Sequence, residues 1–132
     1  MDMIALKQKR SIRVLVVDDS KMVRAISRKR LVSVGYEVML AQDGYDAISS
    51  IVEHRPDIVL MDVMMPGIDG YQTCKLLKAH SLYSAIPLIM LSGNDRESDR
   101  KKGLEAGFDC CLGKPVDENE LNAIISKLLS GN

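Results

Sequence analysis

Five times along the chain a short, nearly unbroken apolar run gives way to a longer segment with apolar residues at helical spacing. The runs are IRVLVV (12–17), YEVMLA (36–41), DIVLMD (57–62), PLIML (87–91) and FDCCL (108–112). Between and after them lie amphipathic segments at 21–34, 44–54, about 70–80, within 92–107, and at 117–129. A strand with one wet face alternates apolar and polar residues, whereas a strand covered on both faces stays apolar throughout. The runs here are of the second kind, so helices must lie on both sides of a parallel sheet. Right-handed crossovers then give an α/β, doubly wound (βα)5 sandwich. In such sheets ligands bind beyond the carboxyl ends of the strands, where the strand order reverses.

Punctuation agrees with this reading. Ser20 and Asp117 stand where helix N-caps belong, Gly35 follows the first helix, and Pro56 bars the second from continuing. Gly103 weakens the fourth helix by about 1 kcal/mol relative to Ala. The length of 132 residues suits one domain. Eighteen basic and eighteen acidic side chains cancel, which argues against a nucleic-acid footprint. Cys74, Cys110 and Cys111 are odd in number, and two are adjacent, so they suggest reduced thiols in place of a disulfide framework or zinc site. No apolar run is long enough for a membrane span and the start does not read as a secretory signal, so the expected compartment is the cytoplasm.

The strand ends concentrate the chemistry. The first run delivers Asp18 and Asp19, the third Asp62, the fourth Ser92, and the fifth leads to Lys114. In the flavodoxin-like order 2-1-3-4-5 the first and third strands are neighbours, which brings the three acids together. Three close carboxylates call for a cation, and hard oxygen donors suit Mg²⁺. A metal with an ammonium group is also what a transferring phosphoryl group requires. Aspartate can serve as the nucleophile, forming an aspartyl phosphate. The residues therefore describe a Mg²⁺-dependent phosphoryl acceptor centred on Asp62.

VLVVDDS, DIVLMDVMMPGIDGY, PLIMLSG and GKPVDENEL occur in an order and spacing that resemble the receiver domains of two-component response regulators (CheY-like), from about residue 11 to 129. The resemblance implies a receiver domain over 11–130 after an N-terminal extension, 1–10, with no output domain in this chain. It implies that Asp62 accepts phosphate from the phosphohistidine of a histidine kinase or phosphotransfer protein. It further implies that Asp18, Asp19, Asp62 and the backbone carbonyl of Met64 hold Mg²⁺, that Ser92 hydrogen-bonds the phosphoryl group, and that Lys114 contacts it. Lys114–Pro115 is expected to be cis. A downstream protein is expected on the face made by the fourth helix, fifth strand and fifth helix, with no nucleic acid or membrane bound. No enzymatic activity is expected beyond self-catalysed phosphorylation and dephosphorylation. DGYQTC and KPVDE carry a fainter resemblance to single-domain regulators of twitching-motility and chemotaxis-like systems.

Two positions depart from the family pattern. The family usually has Tyr or Phe three residues before the lysine, where this chain has Cys111. Phe108 is expected on the opposite face of the fifth strand from Cys111, because an offset of three is odd. Switching is therefore expected to run through Ser92 and the following loop and helix. In the family the positions of Met64 and Asn94 flank the path of hydrolytic water, and apolar Met64 is expected to give a long-lived phosphoryl group. Of the rival readings, a haloacid dehalogenase-type phosphohydrolase wants a second acid at the position of Met64. A phosphorylation-independent binding module leaves the acid set and Lys114 without a task.

Overall fold

Every apolar run forms a strand and every amphipathic segment a helix in the computed structural model, which describes residues 11–93, 96–114 and 116–130. In chain order they are β1 (Arg13–Val17), α1 (Lys21–Ser33), β2 (Glu37–Ala41), α2 (Gly44–His54) and β3 (Ile58–Asp62), followed by α3 (Gly70–Lys78), β4 (Leu88–Ser92), α4 (Arg96–Ala106), β5 (Cys110–Gly113) and α5 (Glu118–Leu129). The strands form one parallel sheet in the order β2-β1-β3-β4-β5. The 1–10 extension and the Lys114–Pro115 bond lie outside the described residues.

Because strand side chains alternate, each central strand feeds two cores. Leu15, Val17, Val59, Met61, Leu88 and Met90 pack on one face with Ala47 and Ile51 of α2, Cys74 and Leu77 of α3, and Ala106 of α4. Val14, Val16, Ile58, Leu60, Ile89 and Leu91 pack on the other with Leu31 of α1 and Leu121 and Ile125 of α5. All five residues of β3 and of β4 are buried. Each fully buried aliphatic side chain of this kind stabilises the fold by about 1.5–3 kcal/mol. That burial fixes strand register, and register fixes which residues reach the sheet's carboxyl edge.

Caps set the helix starts. Ser20 accepts from the Val23 amide at 3.2 Å, and Asp117 accepts from the amides of Asn119 and Glu120 at 2.8 and 3.1 Å. Asp69 and Gln72 close a reciprocal capping box at the start of α3. Gly103 has a packing reason: a Cβ there would lie 2.7 Å from the sulfur of Met90, so its absence lets α4 sit close on β4.

The structure corrects one expectation. β5 begins at Cys110, and Phe108 stands before it, after a turn in which Gly107 adopts φ +114°. Strand alternation therefore does not govern Phe108. It is buried in the same core against which Cys111 packs, so the two share a face. The apolar residues of α1 are also less covered than their spacing suggests. Only Leu31 is buried, while Met22, Ile26 and Val34 are exposed, the last two lining a groove between α1 and α5.

Candidate functional site

β1 and β3 are hydrogen-bonded neighbours, so their ends meet. Asp18 follows the last residue of β1, and its amide still pairs with the Ala41 carbonyl at 3.1 Å. Its carboxylate is buried and accepts from the Ser20 amide at 2.9 Å. Arg24 of α1 donates to the Asp18 carbonyl at 2.6 Å, holding the turn from the opposite side. Asp62 is the last residue of β3, only 8% exposed, and its Oδ1 accepts from the Met64 amide at 3.2 Å. Asp19 is exposed.

Lys114 closes the arrangement. Its amide donates to the Ser92 carbonyl at 2.9 Å, carrying the β4–β5 pairing one step beyond the strand. Its Nζ then stands 3.2 Å from Asp62 Oδ2 and 3.4 Å from Asp18 Oδ2. Burial alone would lower the pKa of this ammonium, but Asp62 and then Asp18 outweigh it and raise the value above the usual lysine range. Lys114 is therefore held charged between two carboxylates by geometry that three separate strands supply.

Asp18, Asp19 and Asp62 each offer one oxygen within 4.8 Å of the others. All three oxygens are of the hard, anionic type that Mg²⁺ prefers. The donor set fits.

Ser92 ends β4 and is 1% exposed. Its hydroxyl is turned toward α4 and donates to the carboxylate of Asp99, a residue sequence reasoning passed over. Nothing in the polar stretch 92–107 marks Asp99, since its distance from Ser92 is fixed by how the chain enters α4. Tyr71 of α3 joins the same neighbourhood. Its phenol is pushed above the usual range first by burial, then by the charges of Asp99, Cys111 and Asp69 and by a hydrogen bond to Asp99. The Tyr71 ring meets Phe108 edge-on with centroids 6.5 Å apart. Asn94, expected beside the water path, lies outside the described residues; Met64 is 78% exposed beside Asp62.

The sequence model of the response regulator receiver domain matches residues 14–126. Protein PilG of Pseudomonas aeruginosa is 43% identical over 115 residues, covering 87% of this chain and 85% of that protein. Response regulator MprA of a Mycobacterium species is 44% identical over 118 residues, covering 89% of this chain but only 50% of the relative. The receiver domain of a sensor histidine kinase from Pseudomonas aeruginosa superposes with a TM-score of 0.83 at 32% identity, covering 92% of this chain and 99% of that one. Its crystal structure has a magnesium ion coordinated in the active site cleft.

Proposed function

The chain belongs to the response regulator receiver domain family, and on that premise we propose that Asp62 accepts a phosphoryl group from a phosphohistidine in a Mg²⁺-dependent reaction. The observation that carries this reading is the buried Asp62 carboxylate at a strand end, 3.2 Å from Lys114 and clustered with Asp18 and Asp19. A carboxylate oxygen of Asp62 attacks phosphorus as the P–N bond to imidazole breaks. The departing imidazole nitrogen keeps the electron pair and takes a proton from water. Lys114 offsets charge on the phosphoryl oxygens as they approach Asp62. Asp18, Asp19 and Asp62, with the Met64 carbonyl, would hold Mg²⁺, which neutralises and aligns the phosphoryl group when bound. Ser92 supplies a hydroxyl to the transferred group once it turns from Asp99.

The donor is a histidine kinase or phosphotransfer protein, and the output is a changed protein-contact surface on α4, β5 and α5. We assign no turnover reaction beyond self-catalysed gain and loss of phosphate. No described helix is long and apolar enough to cross a membrane. Cys74, Cys110 and Cys111 form no disulfide, which fits a reducing cytoplasm.

Incubation with acetyl phosphate and Mg²⁺, followed by intact mass measurement, tests the assignment. The unaltered chain should gain one phosphoryl mass, and Asp62→Asn should gain none. Equal gain in both would place the acceptor elsewhere. Gain in neither would shift the reading to a binding module that needs no phosphate.

A further inference from the structure

The Ser92 hydroxyl has a single proton, so it can donate to one acceptor at a time. In this structure that acceptor is Asp99, in the first turn of α4. Ser92 is buried, which leaves no water to take the place of Asp99 at low cost. Asp99 also interacts with Tyr71, whose ring rests against Phe108, which is buried in the core shared with α3 and α4. One carboxylate thus joins the end of β4 to α4 and α3, on the side of the sheet where Cys111 stands.

Building on the reading of Asp62 as phosphoryl acceptor, we propose that Asp99 is a positioning residue that competes with the phosphoryl group for the Ser92 hydroxyl. While Asp62 is free, Asp99 keeps that hydroxyl and α4 is tied to β4. A phosphoryl dianion on Asp62 is the stronger acceptor and draws the hydroxyl away. Asp99 then loses a donor in a partly buried place. The first turn of α4 shifts to restore a partner for Asp99. The signal reaches the α4 surface through a carboxylate and a tyrosine on α3, in a chain whose fifth strand offers Cys111 in place of an aromatic ring.

Asp99 also suits a helix N-terminus, where an acid favours the dipole without any reference to Ser92. A double-mutant cycle separates the two roles. Phosphorylation by acetyl phosphate with Mg²⁺ is followed by intact mass for the unaltered chain, Asp99→Ala, Ser92→Ala and the double variant. Asp99→Ala should be phosphorylated roughly five-fold faster, because the hydroxyl no longer has to leave an anion. In the Ser92→Ala background the same change should have no effect. An unchanged rate in Asp99→Ala, or an equal effect in both backgrounds, overturns the proposal.

Amide spectra of the same four proteins without phosphate give a second reading. Signals of Ser92, Gly93 and Leu104 should move on Asp99→Ala only where Ser92 is present; movement in both backgrounds, or in neither, counts against the latch. If the unaltered chain takes up no phosphate, the acceptor reading has failed and these spectra alone decide the fate of the Ser92–Asp99 latch. Should Asp99→Ala lose its circular dichroism, Asp99→Asn replaces it, with a smaller acceleration of the same sign.

Discussion

Met64 and Lys114 show how much a single side chain can set at Asp62, the proposed acceptor. Lys114 bridges Asp18 and Asp62 at 3.4 and 3.2 Å, so like-charge repulsion between two buried acids is offset by a covalently tethered cation. Met64 donates its amide to Asp62 but presents a thioether to the solvent side, 78% exposed. A thioether is at best a weak acceptor and cannot orient water for attack on phosphorus. Met64→Asn should therefore shorten the phosphoryl lifetime, by about three- to ten-fold on the scale of a single positioning hydrogen bond. The decay of the phosphorylated mass after acetyl phosphate is removed measures this directly; an unchanged lifetime would mean that water reaches phosphorus by another path. The acids and Lys114 were legible in the sequence because each sits at the end of an apolar run or within two residues of it, where topology dictates convergence. Asp99 and Tyr71 were not, because they belong to helices whose azimuth is set by packing and not by strand register.

At the scale of elements, the fit between α3 and β3 governs where Asp62 stands. A Cβ on Gly70 would lie 2.7 Å from the Asp62 carbonyl oxygen and 2.7 Å from Val63 Cα, both backbone atoms that cannot rotate aside. The Gly70 amide donates to the Val63 carbonyl at 3.1 Å, so the start of α3 is bonded to the chain it presses upon. Gly70→Ala gains at most about 1 kcal/mol of helix propensity, while overpacking of this kind costs about 1–3 kcal/mol. The net effect should be a lower urea midpoint together with slower phosphorylation by acetyl phosphate, because the displaced backbone carries Asp62. A variant as stable as the unaltered chain with unaltered phosphorylation would show that α3 yields without moving β3. The strands and helices were readable from apolar continuity and caps, to within a residue or two at their ends. Phe108 was misread for a local reason: Gly107 turns the chain at φ +114° before β5 begins, so a period of two could not be extended back to it.

Across the whole molecule, several protons are held more tightly folded than unfolded. Burial pushes the Cys74 thiol from its ordinary value of 9.0 up to about 11, with Lys78 opposing and Asp109 adding to the rise. Tyr36 is raised by burial, Tyr71 by burial and neighbouring acids, and Lys114 by Asp62 and Asp18 against its own burial. All four shifts have the same sign. Below a pH of about 9 both states keep the Cys74 proton, and its contribution is fully present. Above that value the unfolded chain releases a proton that the folded chain retains, so stability falls as pH rises, and the loss is complete near pH 11. One such group gives a slope of at most about 1.4 kcal/mol per pH unit. The urea unfolding midpoint, measured under reducing conditions from about pH 8 to 10.5, should therefore decline steadily. Cys74→Ser, which has no thiol to ionise, should start from a lower midpoint and decline less steeply. If the two proteins lost stability in parallel, the alkaline limit of the fold would lie with the tyrosines and Lys114, and the buried thiol of α3 would be a packing group alone.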